Sequence, residues 1–456
     1  MQTIFAARAL LPDGWADNVE VKIDKAGRID AVSPEAVATP DAHLVSTLLP
    51  AMSNLHSHTF QRAMAGLTER RGPSERDSFW TWREVMYRFL DLLTPDEIET
   101  IAAYAFMEMQ EAGFAAVAEF HYLHNQAGGG HYDDQAELSQ RIAAAASTTG
   151  IGLTLLPVHY AQGGVDGRPL AGGQLRFRND IDSFKTLLAG MDNAISSLPD
   201  DAHWGIAPHS LRAASRADLK EIAAIAPDRP LHMHIAEQQQ EIEEALAVLN
   251  ARPVEWLLAN HDVDERWCLI HCTHMTDAET DGLAASGAVA GLCPVTEANL
   301  GDGIFAGTRY TKSGGRLGIG SDSNIRISVA DELRQLDYSQ RLRDRLRAVL
   351  ADGGQSVGLN LYGRALAGGA QALGRYSGAI EAGRWADLVA LDLDPDGFSA
   401  LSGDAALDSF IFSAGNSAIS ELWSAGRHSV KAGRHVERDA IAARYRARMA
   451  SIMARF

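Results

Sequence analysis

The chain has 456 residues, enough for one large domain with an accessory unit, and its 46% hydrophobic and 22% charged composition is that of an ordinary globular protein. A net charge of −18 argues against nucleic acid or an anionic membrane surface as a partner, so an anionic ligand would have to be held by a local cluster of arginines. Three cysteines, Cys268, Cys272 and Cys293, exclude a disulfide framework and fit a reducing compartment.

The opening MQTIFAARALLPDGW lacks the basic start and long apolar core of a signal peptide, and no run approaches ~18 apolar residues, so a cytoplasmic location is expected. Residues 1–47 read as a small β unit: Val19, Val21 and Ile23 alternate with polar residues, and Ala26-Gly27 suits a hairpin turn. From Leu48 the pattern changes to apolar strand, loop and helix, repeated. Thr94-Pro95-Asp96-Glu97 predicts a helix start with capping-box spacing, running to about Ala112 with Gly113 as its stop.

The apolar runs are 48–55, 114–120, 152–158, 203–208, 230–235, 267–272, 288–293 and 316–322, most of them separated by helix-length segments such as 181–198, 214–226 and 237–250. Eight such repeats predict an α/β fold, a (β/α)8 TIM-type barrel over 48–374, with insertions beyond the usual size of about 250 residues. The alternative, an open doubly wound sheet, would want a glycine-rich phosphate turn after the first strand, where this chain has His-x-His. Residues 375–456 return to the β style, with an alternating run over 387–393 and FIFSAG, ISELWSAGRHSV and KAGRHV as short strands, then a helix from about Arg438 to Phe456. The two chain ends are expected to meet as a small β-sandwich beside the barrel.

Functional side chains of such a barrel sit at the C-terminal ends of the strands. The first run ends in His56-x-His58, whose side chains emerge on one face of a strand. Later runs contribute His121 and Tyr122, then His209 and Arg212, then His234 and Glu237, then His271 and finally Asp322. His56, His58, His234 and Asp322 suit one zinc or iron ion with an open position for water, whose pKa falls from 15.7 to about 7 on such an ion. Glu237, three residues past His234, is placed to shuttle protons, and His271 either polarises the group under attack or holds the nucleophile in line.

Plainer readings exist for single residues. His232, His121, His124, His159 and His274 read as buried or hydrogen-bonding side chains, and the spacing of Cys268 and Cys272 as structural. Asp322 alone would pass for a helix cap, and Glu237 alone for a first-turn carboxylate.

The segments NLHSH, HMHIAE, IHCTH, GSDS and the late GAIEAGRWADLVALD resemble the amidohydrolase superfamily, in its branch of mononuclear aminohydrolases. Binuclear members carry a bridging lysine at the end of strand four, where this chain has Pro208-His209, so the resemblance implies one metal. LHSHTFQRAMAG, SFWTWREVMYRFL and PHSLRA are similar, more closely, to the formimidoylglutamate deiminase family, which in histidine degradation hydrolyses N-formimino-L-glutamate to N-formyl-L-glutamate and ammonia. By that resemblance His56, His58, His234 and Asp322 bind zinc, and Glu237, His271 and Asp322 handle protons. The resemblance also implies that Gln61, Arg83, Tyr122, His209 and Arg212 hold the two carboxylates of the substrate, and that the assembly is a homodimer.

The chemistry agrees, because guanidinium matches carboxylate bidentately and each such charged bond is worth about 1.5–3 kcal/mol. Three rival functions stay open at this point. They are deamination of a purine or pterin ring, cleavage of the same substrate to formamide and glutamate, and a non-catalytic barrel used for assembly.

Overall fold

The computed structural model describes residues 2–69 and 79–456. Ser78, the first residue of the SFWTWREVMYRFL segment, lies outside them, and the remainder of that segment is the helix Phe79–Leu90.

Period-two alternation builds the first unit. Strands β1 (Gln2–Leu11) and β2 (Gly14–Ile23) pair antiparallel across the Asp13-Gly14 turn. Strand β3 (Ile29–Ser33) pairs with β2, and β4 (His43–Pro50) runs parallel to β1.

The parallel part follows in two sheets. Strands β5 (Met52–Ser57), β6 (Phe114–His121), β7 (Gly152–His159) and β8 (His203–Trp204) lie in that order, with β9 (Ala207–Pro208) also paired to β7. Strands β10 (Leu231–Ile235), β11 (Trp267–His271), β12 (Val289–Leu292) and β13 (Arg316–Ile319) form the second sheet. Single bridges, Ile206 to Leu231 and Ser57 to Asp322, tie the sheets together at both edges. Residues of β5 to β7 and β10 to β12 are almost all buried, as expected for parallel strands covered by helices.

The helix Pro95–Glu111 carries the expected capping box, in which Glu97 N donates to Thr94 Oγ1 at 3.4 Å and Thr94 N to Glu97 Oε2 at 2.9 Å. The segment 181–198 is instead two helices, Ile181–Ala189 and Met191–Ala194, meeting at Gly190.

The run 48–55 is cut in two between Pro50 and Met52. Ala51 N donates to Asp387 O in the terminal unit, while Met52 N donates to Gly113 O in the parallel sheet, so one residue hands the chain from one unit to the other.

Strands β14 (Leu388–Leu391), β15 (Ile419–Ser424), β16 (Arg427–Lys431) and β17 (Arg434–His435) complete one eight-stranded mixed sheet, ordered β17-β16-β15-β14-β4-β1-β2-β3. Both chain ends therefore share a single hydrogen-bonded sheet, joined where β14 pairs antiparallel with β4. Alternation gives it two apolar faces. Leu48, Leu388 and Trp423 enter a small separate core, and Leu49, Val389 and Leu422 join the main one.

FIFSAG is not a strand. Phe410–Ala414 forms a π-helical turn after the helix Asp404–Ser409, because its neighbours belong to a helix: Arg334 Nη1 donates to Ile411 O and Tyr338 stacks on Phe412. The helix Arg438–Met453 closes the chain. Among the described residues no helix is long and apolar enough to cross a membrane.

Candidate active site

Four groups from three remote stretches converge at the ends of β5, β10 and β13. His56 and His58 leave the same side of β5, and His234 leaves β10. Asp322 is held on the loop after β13 by main-chain bonds, Asp322 N to His56 O at 2.9 Å and His58 N to Asp322 O at 3.0 Å. A side-chain network locks this seam: Asn54 Nδ2 donates to Ser321 Oγ, Ser321 Oγ to Asn324 Oδ1, and Asn324 Nδ2 to the carbonyls of His58 and Asp322. Only glycine allows the approach, since a Cβ on Gly320 would lie 2.7 Å from His56 O.

The ligand atoms of His56, His58, His234 and Asp322 all lie within 4.8 Å of one another. His58 Nδ1 faces the carbonyl of Phe120 at 3.0 Å, and His234 Nδ1 that of His209 at 3.1 Å. A carbonyl only accepts, so each Nδ1 carries the proton and each Nε2 turns a lone pair inward. His234 Nε2 then stands 3.0 Å from His56 Nε2, and Asp322 Oδ1 stands 3.5 Å from His56 Nε2 and 3.4 Å from His58 Nε2. Zinc with bonds of ~2.1 Å to four such ligands and a fifth position for water spaces its ligand atoms by about 3.0–3.6 Å, so these distances fit such an ion. Burial lowers His56 to about 3 and His234 well below its ordinary value, leaving the neutral, ligating imidazole. Burial opposes ionisation of Asp322 too, but His56 and His58 outweigh it and hold the carboxyl well below the usual range.

A second group surrounds the position left open. Glu237 follows Ala236, whose φ is +53°, and the Glu241 carboxylate fixes this turn by accepting from Ala236 N and Glu237 N. Glu237 Oε1 lies 3.8 Å from His271 Nε2, and its Oε2 accepts from Arg212 Nη2 at 3.3 Å. His271 Nδ1 lies 3.3 Å from Glu297 Oε1, and its Nε2 4.0 Å from Asp322 Oδ2. Burial opposes charge on His271, yet Glu237, Glu297 and Asp322 together raise it to about 10. Ala236, His271, Cys272 and Asp322 all adopt positive φ, a conformation that costs a non-glycine residue about 1–3 kcal/mol and is concentrated at these strand ends.

The cleft above the four ligands is open to solvent and has about 540 Å³ of atom-free space, its open mouth included. Of the ligand, proton-transfer and carboxylate-binding residues expected from the sequence, all line it except His56, which lies buried beneath. Gln61 Nε2 donates to Tyr122 OH at 2.8 Å. Arg83, on the helix Phe79–Leu90, reaches across to donate to Tyr160 OH at 2.9 Å. Burial lowers His209, and the nearby Arg212 and Arg83 lower it further, so it faces the cleft neutral. For Arg212 burial opposes the charge, but Glu241 and Glu237 outweigh it and raise the guanidinium.

The remaining histidines stay out of the cleft. Phe120 and Tyr122 share one face of their segment, which sends His121 to the other. His232, His124 and His274 bond through Nε2 to the carbonyls of Ala372, Val158 and Asp302. The three cysteines are free and buried. Sequence reading missed Tyr160, Tyr87 and Glu297. Tyr160 directly follows β7 and obeys the strand-end rule, and Glu297 sits one turn past β12, so both carried a positional signal.

Residues 47–428 match the amidohydrolase family model. The chain belongs to the amidohydrolase family. Residues 1–45 match a second model, described as the N-terminal domain of formimidoylglutamate deiminase HutF. Among its relatives in this family, the chain is 49% identical over 437 residues to a formimidoylglutamate deiminase of Pseudomonas aeruginosa, covering 95% of this chain and 96% of that one. The crystal structure of an amidohydrolase from Brucella melitensis superposes with a TM-score of 0.96 at 46% identity, over 99% of this chain and all of the other. An adenosine deaminase from Xanthomonas campestris with bound zinc shares the fold, with a TM-score of 0.81 at 21% identity over 99% and 98% of the two chains.

Proposed function

We propose that this protein hydrolyses N-formimino-L-glutamate to N-formyl-L-glutamate and ammonia, a step of histidine degradation. The observation that carries the reading is a cleft in which a three-histidine, one-aspartate ligand set faces two arginines, Arg83 and Arg212. Near-half identity to a formimidoylglutamate deiminase over almost the whole chain supports it. The two parallel sheets, bridged at both edges, are read as one TIM-type (β/α)8 barrel.

His56, His58, His234 and Asp322 would hold one Zn2+ ion, which supplies Lewis acidity and a water acidified to near neutrality. Arg83 and Arg212, helped by Gln61, Tyr122 and His209, bind the two carboxylates and set the formimino carbon above the ligand set. Asp322 Oδ2 takes one proton of the attacking water, and His271, kept cationic by its carboxylate neighbours and 4.0 Å away, holds the developing charge. Glu237 takes the other proton of that water to the terminal nitrogen, and the proton held by Asp322 follows as the nitrogen leaves. The new C–O bond forms at the formimino carbon, and its C–N bond to that nitrogen breaks with loss of ammonia.

Ammonia release from N-formimino-L-glutamate tests the reading. It should vanish after chelation and return with added Zn2+; a rate unchanged by complete metal removal contradicts it.

A further inference from the structure

A second convergence of ligand atoms lies far from the cleft, on the mixed terminal sheet. His43 comes from β4, Glu421 from β15 and His428 from β16, and one ligand atom from each lies within 4.8 Å of the others. His43 Nε2 stands 2.7 Å and His428 Nε2 2.5 Å from the same oxygen, Oε2 of Glu421. The His43 contact has hydrogen-bond geometry, and that of His428 is a close ion-pair contact outside it. The His428 ring stacks on Trp423 at 4.3 Å and 19°, and Trp423 is fully buried. The same indole meets the His43 ring edge-on at 5.6 Å. Two imidazole nitrogens from different strands therefore converge on one carboxylate oxygen, the arrangement in which the three side chains can turn to a shared divalent ion.

We propose that His43, Glu421 and His428 form an auxiliary site for a zinc-class divalent ion, which staples the strand β4 from the first part of the chain to β15 and β16 from the last. Two imidazoles and one carboxylate are a zinc ligand set with a fourth position left for water, and the half-exposed edge of His43 gives the ion access. Ligand atoms around zinc sit about 3.4 Å apart, so binding widens the present contacts by under about 1 Å and displaces the protons carried by the Nε2 atoms. None of these residues lines the cleft, so the site acts on the sheet and not on the reaction.

Metal content of the full chain decides the matter. After equilibration with Zn2+ alone in the tens of micromolar and removal of free metal, the wild type should hold two ions per chain. His43→Ala and Glu421→Gln should each hold one and release ammonia at the wild-type rate. With Co2+ in place of zinc, the second equivalent should add visible absorption in the wild type and none in Glu421→Gln, a conservative change that keeps the side-chain volume. The second equivalent should also raise Tm in the wild type only. A wild type that saturates at one ion, or a second equivalent that survives both substitutions, overturns the proposal.

Discussion

Arg212 donates to Glu237 across 3.3 Å within the cleft, so the cation assigned to a substrate carboxylate and the carboxylate assigned to proton transfer share one buried ion pair. Under the proposed function, an incoming substrate carboxylate would compete with Glu237 for that guanidinium and free the Glu237 carboxylate to face the reacting nitrogen. Arg212→Ala should raise KM by roughly 10- to 100-fold, the loss expected for one charged hydrogen bond, and leave the zinc content at the wild-type value. Steady-state kinetics with metal analysis on the same sample checks this, and an unchanged KM removes Arg212 from the carboxylate clamp.

Glu237 is not among the four ligands, so its removal should separate binding from turnover. Glu237→Gln should keep its zinc and its affinity for substrate while kcat falls by roughly 10²- to 10⁴-fold, the usual contribution of a general acid–base group. Normal turnover in this variant denies Glu237 its role.

Tyr160 accepts hydrogen bonds from Arg83 Nη2 at 2.9 Å and Gln174 Nε2 at 3.2 Å, and both bonds use its oxygen as acceptor. Its O–H is thereby left to donate into the cleft it lines. Tyr160→Phe should raise KM about 10-fold with little change in kcat. In an Arg83→Ala background the increase should persist if the hydroxyl meets substrate directly, and disappear if Tyr160 only steadies Arg83.

His232 gives a pH test independent of the reaction. It is fully buried and bonded to Ala372 O at 2.7 Å, and burial lowers it to about 4 from an ordinary 6.5. The folded state therefore binds its proton less readily than the unfolded chain. The stability it contributes is present above pH 6.5 and is lost as pH falls through about 4, a change of about 3 kcal/mol. His232→Gln keeps an amide nitrogen where Nε2 lay. The stability gap between wild type and variant, from denaturant unfolding, should narrow by about 2 kcal/mol between pH 7 and pH 4.5, the larger part of that change. Parallel pH dependences contradict the assignment.

Much of this was legible along the chain, because strand-end placement is a local property. Six of the eight apolar runs ended in a polar residue of interest, and the barrel they predict directs attention to those ends, which brought out His56, His58, His234, His271 and Asp322. What was hidden depended on contacts between remote segments. The run 48–55 reads as one strand, yet Pro50 and Met52 belong to different sheets because Ala51 N and Met52 N find acceptors in Asp387 and Gly113. FIFSAG has strand-like composition, but it packs on the helix Val329–Asp344, which its own residues could not announce. Asn54, Ser321 and Asn324, which fix Asp322, are polar residues of the least informative kind until they are seen bonded. Tyr160 follows its strand much as Tyr122 does, but its tie to Arg83 is a contact between remote segments that only the fold displays.

Product analysis tests the central claim most directly. After complete conversion of N-formimino-L-glutamate by the zinc-loaded protein, the account predicts ammonia and N-formyl-L-glutamate in equal amounts, with no formamide. Formamide with L-glutamate, or no conversion at all, would contradict it.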